Sequence, residues 1–100
     1  MKTLDVFKAL SNETRLKILN GLREPEKNFP PQDEGDFHLD GVCVSSIQEA
    51  VGLSQSTVSG YLATLERAGL VRSKRMGPWT YYKRNEENIR RVLKALEEDL

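Results

Sequence analysis

The chain has 100 residues, 38% hydrophobic and 30% charged, with 15 basic and 15 acidic side chains and a formal net charge of zero. Those values fit one globular domain with a single core, and they exclude a disordered tail or a polycation that coats nucleic acid by charge alone. No apolar run approaches the roughly 18 residues of a membrane span. The start Met1-Lys2-Thr3-Leu4-Asp5 is unlike a secretory leader, and the lone Cys43 rules out a disulfide within the chain, so the expected location is the cytoplasm.

Two helices are predicted first. Residues 3–10 place Leu4, Phe7 and Leu10 on one side. Ser11-Asn12 interrupts them, and Asn12 is placed to cap a second helix over about 13–22. There Glu13 favours the helix dipole, and Leu16, Ile18 and Leu19 are the expected buried side. Residues 24–44 read as an acidic, irregular insertion within the single domain 1–100. Pro25, Pro30, Pro31, Gly35 and Gly41 forbid a regular helix through it. Glu24, Glu26, Asp33, Glu34, Asp36 and Asp40 stand there against Lys27. Asp36, His38 and Cys43 are the residue types of a metal site, the alternative to a solvated acidic loop; no repeat of the pattern accompanies them, and no metal or cofactor is expected.

Val42-Cys43-Val44 reads as a strand stub, with Cys43 a small buried apolar residue. Ser45 with Gln48, or Ser46 with Glu49, has capping-box spacing at the start of a short helix. Ile47, Ala50 and Val51 form its core side, and Gly52 stops it. A longer helix follows, with Ser54 as N-cap, an apolar stripe of Val58, Leu62 and Leu65, and Gly69 as its end. Opposite the stripe lie Gln55, Ser56, Thr57, Ser59, Gly60 and Thr64, small neutral groups with no acid in the first turns. An ordinary solvated face, the alternative, would carry Glu and Lys. Short helix, glycine turn and longer helix together make a helix-turn-helix, whose second member suits end-first entry into the DNA major groove.

Between Ser54 and Arg84, six bases (Arg67, Arg72, Lys74, Arg75, Lys83 and Arg84) face the single acid Glu66, so a neutral chain has one basic third. Residues 71–75 and 79–84 alternate around Met76-Gly77-Pro78, the pattern of a hairpin. A basic hairpin after a helix-turn-helix reads as a wing laid along phosphates or in the minor groove. A hairpin kept charged against edge aggregation is the alternative. Asn85 caps a last helix over 86–100, with Ile89, Val92, Leu93, Leu96 and Leu100 on one stripe. Such a stripe closes the core or meets a second copy of the chain, and pairing is favoured because several helices already fill the core. With no Ser/His/Asp set and no Gly-rich phosphate loop, catalysis is not expected.

The run from Phe7-Lys8-Ala9-Leu10-Ser11-Asn12-Glu13 to Leu19, together with Leu53-Ser54-Gln55-Ser56-Thr57-Val58-Ser59 and Ala68-Gly69-Leu70-Val71, resembles the ArsR-type (arsenic-repressor-like) winged helix-turn-helix repressors. The likeness covers nearly the whole chain outside the acidic loop. It implies a mainly α fold with a small β-hairpin and a homodimer through the first and last helices, for which Leu4, Phe7, Ile89, Val92, Leu93 and Leu96 are the candidates. It also implies a palindromic operator that is blocked until an inducer releases the protein. Gln55, Ser56, Thr57 and Ser59 match positions of base and phosphate contact, and Lys74 and Arg75 match basic wing positions. Ser45, Tyr61 and Thr64 complete the expected DNA-binding set.

Three departures qualify the resemblance. Metal-sensing relatives pair cysteines where this chain has only Cys43, followed by Val44 and Ser45. Others use Asp and His on the last helix, and residues 86–100 hold no histidine. Gly60 stands where histidine is frequent, which loosens that turn by about 1 kcal/mol relative to Ala. The remaining alternatives are an effector-gated metal or redox sensor using Cys43 and His38, and a winged-helix protein-interaction module without DNA binding.

Overall fold

Side-chain caps and left-handed glycines divide the chain into its elements. In the computed structural model, which describes residues 3–100, the order is α1 (Thr3–Leu10), α2 (Glu13–Gly21), α3 (Pro25–Asn28), β1 (Val42–Cys43), α4 (Val44–Val51), α5 (Gln55–Arg67), β2 (Val71–Met76), β3 (Trp79–Arg84) and α6 (Glu86–Asp99). Asn12 accepts from the Arg15 amide at 2.9 Å, Ser54 from that of Thr57 at 3.2 Å, and Asn85 from that of Asn88 at 3.2 Å. Each cap satisfies an otherwise orphaned donor, worth about 1 kcal/mol. Gly69 closes α5: its amide donates to Glu66 and that of Leu70 to Leu65, a Schellman pair that requires the observed φ of 77°.

β3 is the central strand of a three-stranded antiparallel sheet in the order β1-β3-β2. Val42 faces Tyr82 across β1 and β3, and the hairpin register runs from Val71 opposite Arg84 to Met76 opposite Trp79. The core lies between the helices and the base of this sheet. Val6, Ile18, Val42, Ile47, Val58, Leu62 and Leu65 are fully buried there, each contributing about 1.5–3 kcal/mol over its exposed state. Arg15 locks the first helices to the rest. Its guanidinium donates to the carbonyls of Ala9 (2.7 Å) and Lys8 (3.0 Å), which end α1, and lies 5.3 Å over the Tyr61 ring of α5.

Three expectations need correction. α4 begins at Val44, with Cys43 as an N-cap that makes no side-chain cap bond, so neither serine opens a capping box. Ser46 lies inside the first turn, buried, and its hydroxyl donates to the Pro30 carbonyl at 3.1 Å. Leu16 is 41% exposed, because the buried stripe of Ile18, Leu19 and Leu22 faces more than a quarter-turn away from it. Val92, expected on the partner surface, is buried within the single chain's own core, where α6 packs back onto α1.

Within 24–44, where irregular backbone is predicted, Pro25 starts the single turn of α3 and Val42–Cys43 joins the sheet. The segment between is tied down by its own polar groups. Gln32 accepts from the Cys43 amide (2.8 Å) and donates to the Gly41 carbonyl (3.1 Å). Asp36 accepts from the amides of His38 (2.8 Å) and Leu39 (2.9 Å), an Asx turn. Gly41, at φ 105°, sits so close to the Tyr82 backbone that a Cβ would lie 2.5 Å from its carbonyl oxygen.

Candidate nucleic-acid interface

α4, the turn at Gly52–Ser54 and α5 form the helix-turn-helix. Ile47 on α4 and Val58, Leu62 and Leu65 on α5 are buried, which fixes the angle between the helices and turns the other side of α5 outward. The Ser54 hydroxyl that caps α5 also donates to Thr57 Oγ1 (2.9 Å) and lies 3.3 Å from Ser56 Oγ. Three of the short hydroxyls therefore cluster at the N-terminus of α5, where the free amides and the dipole favour an anion. Gln55, Ser56 and Ser59 are exposed, Thr57 is half-buried, and the first turn carries no acid.

The other expected contacts lie elsewhere. Thr64 is nine residues beyond Gln55, about 13 Å along the axis, and its hydroxyl donates to the Gly60 carbonyl at 3.1 Å and accepts from Arg67 at 3.3 Å. Tyr61 is half-buried beneath Arg15. Ser45 is exposed in the first turn of α4, 3.3 Å from Cys43 Sγ. The structure thus gathers Gln55, Ser56, Thr57 and Ser59 at one tip and sets Tyr61 and Thr64 behind it.

Gly77-Pro78 makes the two-residue wing tip. Alternation sorts the wing into two faces. On one, Arg75 is exposed at the tip and Ser73 donates to Glu66 of α5 at 2.5 Å, which engages the only acid between Ser54 and Arg84. Arg75 Nε donates to the Gly77 carbonyl at 3.2 Å. The other face carries Arg72, Lys74, Tyr81 and Lys83, and the acidic segment lies against it. Lys74 Nζ is 2.6 Å from Asp40 Oδ1, Lys83 donates to the Leu39 carbonyl at 3.2 Å, and Tyr81 to that of Glu34 at 3.3 Å. Lys74 and Arg75, adjacent in sequence, therefore differ: one is neutralised by the loop and one is presented at the tip. The complementary charge blocks were visible in the sequence. The pairing of Lys74 with Asp40, 34 residues apart, needed the register.

Asp36, His38 and Cys43 are not brought together as one group of ligands. No group of three or more His, Cys, Asp or Glu side chains converges among the described residues. The Asp36 carboxylate is occupied by two backbone amides, His38 pairs with Glu26, and Cys43 is buried. The first and last helices leave Leu4 (61% exposed), Phe7 (43%) and Leu93 (60%) open, and Ile89 and Leu96 lie half-buried against the core. Trp79, 45% exposed beside the wing tip, is an aromatic that alternation alone did not single out.

A family model for bacterial regulatory proteins of the arsR family matches residues 42–73, from β1 through the helix-turn-helix into β2. The chain is 47% identical over 100 residues to the HTH-type transcriptional regulator YbzH of Bacillus subtilis, covering all of both proteins. It is 31% identical over 80 residues to the arsenical resistance operon repressor of Escherichia coli, covering 80% of this chain and 56% of that one. Its fold is similar to the homodimeric winged helix-turn-helix DNA-binding domain Mb0332 from Mycobacterium bovis, with a TM-score of 0.64 at 29% identity over 94% of this chain and 73% of that one. The chain belongs to the ArsR family of bacterial regulatory proteins and is a DNA-binding winged helix-turn-helix regulator of transcription.

Proposed function

We propose that the chain works as a homodimeric repressor of a palindromic operator, released by a signal that acts on the protein. Gln55, Ser56, Thr57 and Ser59 read base edges or fix nearby phosphates, Ser45 meets the backbone from the start of α4, and Arg75 meets it from the wing tip. Tyr61 and Thr64 bound the contact surface further along α5. The observation that carries this is the acid-free, exposed tip of α5 beside the exposed Arg75. Backbone contacts then supply affinity and salt dependence, and base contacts supply sequence choice.

Leu4, Phe7 and Leu93, flanked by Ile89 and Leu96, form the dimer surface. Its support is apolar exposure on α1 and α6 and the homodimeric state of the Mycobacterium bovis domain. Repression rests on likeness to the Escherichia coli operon repressor. We assign the protein no catalytic task and place its work in the cytoplasm; no described helix is long and apolar enough to cross a membrane. Two-fold symmetry sets the half-sites about 10 base pairs apart, or a multiple of that. Sedimentation of the protein with a duplex selected for binding tests this. Two chains on each duplex are expected, and one chain per duplex contradicts it.

A further inference from the structure

A cleft lies at the base of the wing, on the side away from the tip. It is about 410 Å³ and is walled by the end of α2, the segment 37–38, the feet of β2 and β3 and the start of α6. Arg72 at its floor is about 16 Å from the tip turn, five strand residues away.

Cations gather around it. Arg72 and Lys83 face each other directly across the hairpin, and like charges in that position repel. Arg23 comes in from beyond α2. Among the described residues, the side chains of Arg23 and Arg72 have no hydrogen-bond or ion-pair partner, and that of Lys83 donates to the Leu39 carbonyl and acts through its charge on Asp40. Two acids at the rim are paired with other cations, Glu86 with Arg84 (3.1 Å) and Glu87 with Arg91 (2.7 Å). His38 at the mouth is held by Glu26. Phe37 and Leu22 supply an apolar wall beside these cations.

We infer that this cleft binds a small organic anion, a phosphate or carboxylate carried on an apolar body. Arg23, Arg72 and Lys83 hold the charged group, and Phe37 and Leu22 take the body. Bidentate guanidinium contacts suit such a group, and the volume is that of small-molecule sites. The site does not depend on the protein's binding DNA, and a ligand there touches Lys83, one of the anchors of the acidic segment.

The test is calorimetric titration of the purified chain with phenyl phosphate and with benzoate, at constant ionic strength. Either probe should bind saturably, and the tighter one identifies the charged group. Arg72→Gln and Arg23→Gln should each weaken binding about tenfold, while Arg75→Gln at the wing tip should leave it unchanged. Phe37→Ala should weaken phenyl phosphate more than inorganic phosphate. All these variants except Phe37→Ala alter exposed side chains, so the fold is retained. Absence of saturation by both probes up to about 10 mM overturns the inference. So does equal weakening by Arg75→Gln, which makes the effect one of diffuse charge. Loss of duplex binding in Arg72→Gln without any probe binding assigns the cleft to the DNA backbone instead, and also overturns it.

Discussion

Lys74 Nζ lies 2.6 Å from Asp40 Oδ1, so a wing cation is joined to a carboxylate from the acidic segment 34 residues earlier. A phosphate approaching this side of the wing must compete with Asp40 for the ammonium. Asp40→Asn removes the competitor and should raise affinity for duplex DNA and steepen its salt dependence by up to one released counterion. Anisotropy titrations at several salt concentrations measure both. An unchanged slope places Lys74 off the DNA.

Gln55→Ala and Arg75→Ala should separate the two kinds of contact. Loss of Gln55 should cost about 1–3 kcal/mol on the preferred site and relax the choice of base there. Loss of Arg75 should weaken all sequences alike and reduce the salt slope by about one. Competition titrations with matched and scrambled duplexes distinguish them. Identical losses on every sequence from both variants would contradict the division.

Phe7→Glu and Leu93→Glu alter side chains that the single chain leaves exposed. Each should yield folded monomers in sedimentation with little change in monomer stability. Val92→Ala should instead destabilise the fold by about 2 kcal/mol, because Val92 is 5% exposed in the chain's own core. A Leu93→Glu protein that remains dimeric would place the interface elsewhere.

Acid should loosen the 24–41 segment first. The Asp40 carboxyl is held below its ordinary value by Lys74 and then by the Asp36 amide, and that of Asp36 by the amides of Leu39 and His38. Glu26 is lowered by its own backbone amide and by His38. A carboxyl depressed in the folded state contributes stability that is complete above its unfolded value, about 4, and is lost as pH falls through the lower folded value. The thermal midpoint should therefore drop below about pH 4, and Asp36→Asn should shrink that drop. An equal drop in the variant refutes this origin.

Gly60 offers a clean substitution. Nothing lies within 4 Å of a Cβ built there, and its backbone is helical. Gly60→Ala should stabilise the chain by about 1 kcal/mol, read as a higher thermal midpoint. A destabilised variant would show that α5 departs from regular helix at that turn.

Five of the six helices, three of their caps and the hairpin were legible because each depends on residues close in sequence. Ser54, Asn12 and Asn85 announce their caps, and Gly69 its left-handed stop. What was not legible depends on long-range register. Cys43 is the N-cap, its backbone held extended by Gln32 and the β1–β3 pairing, so α4 starts two or three residues earlier than the serines suggest. Val92 and Leu93, about 100° apart around the helix, both belong to the broad apolar stripe of α6, and only the packing of α6 against α1 decides which of them is core. At the candidate site the α5 tip could be read directly, whereas the different fates of Lys74 and Arg75 required the fold of the acidic segment.

The most direct measurement is enrichment of bound duplexes from a random pool by the purified, metal-free protein at near-physiological salt, run in parallel with Gln55→Ala. The account predicts an inverted repeat with half-sites about one helical turn, roughly 10 base pairs, or a multiple apart, and a changed preference at one position of each half-site for the variant. A pool that stays flat, or one that yields the same single half-site for both proteins, would contradict it.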